Sequence, residues 1–418
     1  MANNTLKNKK GTRQSAFWQT GSLDITFLSF VLILLTIGLV MLFSAGYAYS
    51  LEYYGSSYKF IIKQLLFAAG GIVAMFITSK INYHFWRRVS MPVFLITTGL
   101  LIFLLIMPPM VSGMNVKRWF AIGSFSFQPS EIAKFAVIIL LSTLIAANQK
   151  KMNNGKFVLS LFAIVGITCF LVVMEPHLSA TLLIALIGLV LIYIGGLNRV
   201  VVITGVVVAA VGVVLVIVTQ STGFIGYGGD RIKYWLDPWS DPTGEGFQTI
   251  QSLLAIGSGG VLGRGIGQSR QKYLWVPEPH NDFIFSIVCE ELGLIGALLI
   301  IILFALLVWR GFTIAMRAPD KFGSLLAIGL TFQVGLQALL NIWVVTNTIP
   351  NTGIGLPFFS YGGSSLWGFT LLLAIMLGFK GGKCRKGKIE GGIILCIYFL
   401  QAVVQPVTLI RLLLSRGI

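Results

Sequence analysis

Residues 24–46 read DITFLSFVLILLTIGLVMLFSAG, an aspartate followed by 22 residues without a charge. About 20 predominantly apolar residues in α-helix cross the hydrocarbon core of a bilayer, and this run suffices. A membrane-spanning strand would instead alternate lipid-facing and lumen-facing residues over about 10 positions, which excludes a β-barrel. Similar runs recur at roughly 60–79, 91–110, 131–147, 157–174, 178–196, 200–219, 283–309, 323–348 and 364–379, giving ten in all. Composition agrees, with 56% hydrophobic and 11% charged residues over 418 positions. Soluble domains carry about 25% charged residues. The fold class expected is therefore an all-α polytopic membrane protein with ten transmembrane helices. The first run reads as a signal-anchor, because no small-residue cleavage site follows it.

A net charge of +17 would suggest nucleic acid in a soluble chain, but here the basic residues sort by side. With a cytoplasmic N-terminus, nineteen Lys and Arg fall on inward segments, among them Lys7, Arg13, Arg87, Arg88, Lys150, Arg310 and Lys386. The short outward connections hold only Lys59, Lys117 and Arg118. Positive residues stay inside, so both ends of the ten-helix core are placed in the cytoplasm. The expected organisation is a basic cytoplasmic N-terminus (1–23), a membrane domain (24–380), and a basic segment with an apolar tail (381–418). The loop 220–282, between the seventh and eighth spans, then faces outward. Loops that long usually carry function, and Tyr234, Trp235, Trp239 and Trp275 are too aromatic for disorder. Within it, 250–260 reads as a short amphipathic or half-inserted helix. Residues 111–130, with Trp119 and three phenylalanines, read as an interfacial or re-entrant piece.

Only fourteen residues are acidic, and ionisable groups at membrane depth are functional candidates. Glu131 and Lys134 share a helix face. They read either as a structural ion pair or as the lining of an outward cavity, with the lysine available to an anionic headgroup. Asp282 can cap the eighth helix. It also ends WVPEPHND (275–282) beside Glu278 and His280, after a loop carrying Arg231, Lys233, Arg264, Arg270 and Lys272. A carboxylate facing several cations suits chemistry on a phosphorylated substrate, where the base takes a proton and the cations neutralise a leaving phosphate. Glu290 and Glu291 read as structural partners further along that helix.

Other patterns carry less. GSGGVLGRGIG (257–267) lacks the preceding strand and the GK[ST] of a phosphate loop, and close packing accounts better for its glycines. Cys169, Cys289, Cys384 and Cys396 form no framework. His84, His177 and His280 show no zinc-ligand spacing, so no metal site is expected. His177 reads as a hydrogen-bonded residue at a helix junction.

Four blocks resemble the FtsW/RodA/SpoVE family of shape, elongation, division and sporulation proteins: KRWFAIGSFSFQPSEIAK (117–134), RIKYWLDPWSDPTGEGFQTIQSLLAIGSGGVLGRGIGQSRQK (231–272), PEPHNDFIFSIVCEELGLIG (277–296) and IPNTGIGLPFFSYGGSS (349–365). The resemblance implies ten helices with both ends inside. It also implies polymerisation of lipid II into glycan strands, with undecaprenyl pyrophosphate released, alongside a class B penicillin-binding protein and other division-complex membrane proteins. Residue by residue, Asp282 is the implied catalytic aspartate, while Arg118, Trp119, Glu131 and Lys134 are implied at the substrate. Arg231, Lys233, Glu278 and His280 are further candidates for binding it. No cofactor is fixed, and a divalent cation at the pyrophosphate stays open. EPHLS (175–179) departs from the frequent Gln-Pro-Asp, displacing an acidic side chain to Glu175. HND replaces His-Thr-Asp and keeps the aspartate. The tail after Lys388 matches nothing in the family, and similarity around 349–363 leans towards the division or sporulation branch. Two rival activities fit the composition: a flippase for lipid II and a division-complex scaffold.

Overall fold

Apolar length and end-capping set the helices. The computed structural model describes residues 24–107, 118–122, 125–175, 177–197, 229–244, 246–363 and 366. In chain order its helices are α1 (Ile25–Tyr54), α2 (Lys59–Ser79), α3 (His84–Ile106), α4 (Pro129–Ala147), α5 (Gly155–Met174), α6 (Leu178–Gly196), the shorter α7 (Gly229–Leu236) and α8 (Phe247–Gly259), then α9 (Ile284–Arg317) and α10 (Lys321–Val345). Eight of these are long and apolar enough to cross a bilayer. They coincide with eight of the ten expected spans. The seventh expected span, the tenth apart from residue 366, residues 1–23 and the tail after Lys388 lie outside the described residues.

One end of the bundle is tied by carboxylates at helix starts. Asp24 accepts the Phe27 N–H at 2.9 Å, capping α1, and the Arg310 guanidinium at 2.8 Å. Asp320 likewise caps α10, accepting from the Gly323 N–H at 3.2 Å and the Tyr83 hydroxyl at 2.9 Å. Each carboxylate thereby satisfies an orphan donor of a first turn.

Residues 111–130 prove to be, in their described part, a small hairpin. Strands β1 (Phe120–Ile122) and β2 (Phe125–Phe127) pair antiparallel with Phe120 opposite Phe127. Those rings stack at 5.2 Å, and Phe103 of α3 stacks on Phe120 at 5.8 Å. Pro129 then opens α4, where its missing N–H is no loss. Where it is described, the long loop holds α7 and α8, and α8 is the short helix expected over 250–260.

α9 is not one continuous helix. Gly293 sits at φ 67°, ψ −169°, and breaks it. A break inside a bundle exposes carbonyls and N–H groups that water does not reach, so they need partners. The stretch after α8 supplies them. Arg264 N–H donates to the Glu290 carbonyl (3.0 Å) and Gly265 N–H to that of Glu291 (2.9 Å). In return Leu294 N–H donates to the Gly260 carbonyl (3.0 Å) and Ile295 N–H to that of Val261 (3.2 Å). The backbones approach so closely that a Cβ on Gly263 would collide with the Glu291 carbonyl, and one on Gly293 with the Gly263 nitrogen. Close packing accounts for Gly259 and Gly263, whereas Gly260, Gly265 and Gly267 meet no tight contact and take positive φ instead.

Gly263→Ala should therefore destabilise the protein by about 3 kcal/mol, from left-handed strain plus a backbone collision. Gly155→Ala, whose Cβ would meet open space, should be neutral. Thermal melts in detergent distinguish the two, and equal melting temperatures would contradict the exchange of hydrogen bonds at the break.

Candidate active site

At the end of the bundle opposite Asp24, α9 begins, α10 finishes and the hairpin enters α4. Here a cavity of about 270 Å³ is lined by Arg118, Tyr234, Trp235, Gln248, Thr249, Asp282, Asn351, Thr352 and Gly353. Its walls are fastened to one another. Trp235 Nε1 donates to the Asn347 carbonyl (3.0 Å) while Asn347 Nδ2 donates to the Trp235 carbonyl (3.2 Å), joining α7 to the end of α10. Asn351 Nδ2 donates to Gln248 Oε1 at 2.9 Å. The Ser179 hydroxyl, on α6, donates to the Thr352 carbonyl.

Asp282 is half-buried in this cavity, its Oδ2 about 3.3 Å from where a Cβ on Gly353 would lie. Among the described residues no hydrogen bond to its carboxylate is recorded. Burial, then the like charge of Glu278, push its pKa up to about 6, against the opposing pull of Arg118. A general base works best when its pKa lies near the operating pH. Thr352 Oγ1, also at the cavity, has no hydrogen-bond partner. Such a pocket offers one carboxylate, one guanidinium, two aromatics and several amide and hydroxyl groups.

Arg118 lines the cavity together with Asp282. Its Nε donates to the Glu175 carbonyl at 3.3 Å, which ties the start of the hairpin to the end of α5. Trp119 is described beside it but does not line the cavity. Lys233 is exposed, 5.3 Å from the Tyr234 ring, and the side chain of Arg231 lies outside those described.

Four expectations from the sequence need correcting. Two of the five cations counted around Asp282 serve elsewhere: Lys272 Nζ donates to Glu291 (3.0 Å), Ser44 (3.0 Å) and the Gly267 carbonyl (2.7 Å), and Arg264 lies 3.7 Å from Glu290. Buried carboxylates at the α9 break claim them, so proximity along the chain overstated the cluster. His280 is not at the cavity. It is 3% exposed, packed among Phe60 (4.2 Å), Tyr49 (4.8 Å) and Tyr361 (5.9 Å), and burial lowers its pKa to about 4, leaving it neutral. Glu278 does not line the cavity: it is exposed, accepts from Asn281 Nδ2 at 2.8 Å, and reaches Asp282 through its charge. Lys134 is buried rather than available to a headgroup. It donates to Glu131 (2.8 Å) and to Gln337 of α10 (3.0 Å), which makes the structural ion pair the correct alternative.

Behind Arg118 lies the unusual EPHLS segment. His177 Nδ1 is 3.1 Å from Gln128 Nε2 and 3.2 Å from Ser130 Oγ; burial, helped by Arg118 and Lys134, lowers its pKa to about 3. It is a neutral, hydrogen-bonded junction residue. Glu175 is fully buried with neither carboxyl oxygen hydrogen-bonded, and burial raises its pKa to about 8 despite Arg118.

Comparison with known proteins decides the kinship. The chain matches the FtsW/RodA/SpoVE model, described as a cell cycle protein, over residues 25–381. The chain belongs to the FtsW/RodA/SpoVE family. It is 40% identical to stage V sporulation protein E of Bacillus subtilis over 363 residues, 85% of this chain and 96% of the relative. It is 37% identical to a probable peptidoglycan glycosyltransferase FtsW of Geobacter sp., spanning 82% of this chain and 92% of that one. A solved chain from a study of structural coordination of polymerization and crosslinking by a peptidoglycan synthase complex superposes with TM-score 0.70 at 26% identity, covering 85% of this chain and 97% of that one. The fold is also that of the Thermus thermophilus rod shape determining protein RodA (TM-score 0.62, 22% identity, 85% and 95% covered). As a family member with eight described apolar spans, the protein is a multi-pass protein of the bacterial cytoplasmic membrane.

Glu175 makes the EPHLS departure testable. A carboxyl that holds its proton more tightly when folded costs stability as pH rises from its ordinary 4.5 towards about 8. Glu175→Gln should raise the melting temperature at pH 8 and leave it unchanged near pH 4.5. A gain of the same size at both values would exclude the buried, protonated state.

Proposed function

We infer that this protein is a peptidoglycan glycosyltransferase that polymerises lipid II into glycan strands at the outer face of the cytoplasmic membrane. The observation that carries the mechanism is the Asp282 carboxylate, which accepts no hydrogen bond among the described residues and lines a polar cavity with Arg118. Asp282 takes the proton from the 4-hydroxyl of the acceptor's terminal N-acetylglucosamine. The freed oxygen attacks C1 of the donor's N-acetylmuramic acid, the C1–O bond to phosphate breaks, and undecaprenyl pyrophosphate leaves. One displacement inverts C1 and needs no carboxylate nucleophile, unlike the paired carboxylates of retaining glycosidases. Among the described residues lining the cavity, Asp282 is the acidic one. Arg118 carries charge developing on the pyrophosphate, and Trp235 and Tyr234 offer faces to the sugars.

The basic residues facing the Asp24 end, Arg310 among them, support placing that end in the cytoplasm and Asp282 outside. Among the described residues no three His, Cys, Asp or Glu side chains converge, so a divalent cation assisting the leaving group would be held chiefly by the phosphate oxygens. A class B penicillin-binding protein is the partner that would cross-link the strands, with other division-complex membrane proteins around it.

Incubating the purified protein with labelled lipid II in detergent, where sidedness is lost, separates a polymerase from a flippase or scaffold. Asp282→Asn should cut polymerisation at least about 100-fold, the lower end for loss of a general base, without lowering the melting temperature, since the buried charge it removes is one the fold disfavours. Wild-type activity should fall on the acid side with a midpoint near pH 6, since the base works only when ionised. Unchanged glycan product from Asp282→Asn would remove the base.

A further inference from the structure

α10 carries Gln333, Gln337 and Asn341 at intervals of four residues, a polar stripe within a buried apolar helix. Asn341 is fully buried, and its amide is used only as a double donor. Nδ2 donates to the Asp282 carbonyl at 2.7 Å and to the Ile354 carbonyl at 2.6 Å, while Oδ1 has no partner. Turning the amide over would set an oxygen against two carbonyls, so this orientation is the only one the contacts allow. One turn away, Gln337 Nε2 donates to the Gly355 carbonyl at 3.1 Å. Neighbouring carbonyls are held from the other side: Ser360 Oγ donates to that of Asn281 (2.7 Å), and Tyr361 N–H to that of His280 (2.9 Å).

Three consecutive carbonyls, 280 to 282, are therefore each fixed by a different donor. The same asparagine also fixes the loop that supplies Asn351, Thr352 and Gly353 to the cavity. A buried orphan oxygen is unfavourable, and an apolar residue would suit a bundle interior better unless both bonds were needed. Nothing in Asn341 lines the cavity, so it acts through Asp282.

We propose that Asn341 is a positioning residue: it staples the Asp282 backbone to the 351–355 loop, fixing the distance between the base and the opposite wall of the cavity, with Ser360 holding the same strand from the other side. The proposal rests on the reading of Asp282 as base. Asn341→Ala should lower kcat by about 100-fold, the scale of a roughly 1 Å misplacement, while KM for lipid II stays within about threefold because no substrate contact is lost.

Hydrogen exchange of the full-length protein in detergent reads the staple without any catalysis. In Asn341→Ala, exchange should accelerate together in peptides covering 278–283 and 351–356, and not in 84–106. Ser360→Ala should accelerate 278–283 with a smaller fall in kcat, and this variant decides the matter if Asn341→Ala fails to fold. Unchanged exchange in both segments overturns the staple. Faster exchange with wild-type kcat, or a raised KM at unchanged kcat, overturns positioning. Full activity of Asp282→Asn would instead remove the base itself, an outcome separate from the exchange result.

Discussion

Irregular backbone inside a membrane bundle has to find its hydrogen-bond partners within the protein, because lipid offers none and water is excluded. Two stretches of this chain face that constraint. At Gly293 the broken α9 exchanges backbone hydrogen bonds with 260–265, so one irregular segment satisfies another. Beyond α10 the non-helical 347–356 cannot pair in that way, and the amides of Gln337 and Asn341 reach out from a helix to its carbonyls. Of the two, the second borders the cavity, whose lining includes Asn351, Thr352 and Gly353.

The same constraint governs the charges. A buried ion must be paired and hydrogen-bonded, and removing one partner of a buried pair costs about 3–5 kcal/mol. Glu291 receives Ser44, Ser269 and Lys272, and Glu290 receives Ser269 and two backbone N–H groups, in addition to nearby Arg264. Lys134 has Glu131 and Gln337. Against this regularity two carboxyls stand out. Glu175 lacks hydrogen bonds and resolves the conflict by holding its proton. Asp282 lacks them too, but opens on a cavity and is brought only to about pH 6, which leaves it ionised at neutral pH and able to accept a proton.

Much of this was legible in the chain itself, and the failures have a common physical source. Hydropathy located all eight described spans, since length and apolarity are local properties. The family blocks pointed to Asp282 and Arg118, which do meet at the cavity. Lys272, Arg264 and His280 lie near Asp282 along the chain but do not line its cavity, because Glu291, Glu290 and the Phe60 and Tyr361 rings claim them. Lys134 was ambiguous until Gln337, 203 positions away, closed its hydrogen bonds. Gln333, Gln337 and Asn341 did leave a signal, polar residues recurring every four positions in an apolar span. Hydropathy averaging smooths such a stripe away.

That stripe also explains how a substrate with one end in lipid and the other in water can be handled at a fixed place. The proposed chemistry asks for an ionised oxygen and a cation held at constant separation, yet the segments bearing them, 118–119 and 280–282, and the facing 351–353, are irregular. Loops alone are imprecise supports for a reacting constellation. Here each is tied to a helix: Arg118 to the end of α5 through the Glu175 carbonyl, Asp282 and the 351–355 loop to α10 through Asn341. α4 and α10 are joined in turn by Lys134 and Gln337. Rigidity of the site is thus borrowed from helix packing deeper in the membrane, so a displacement of α10 against α4 would change the separation between Arg118 and Asp282 without any contact to the substrate.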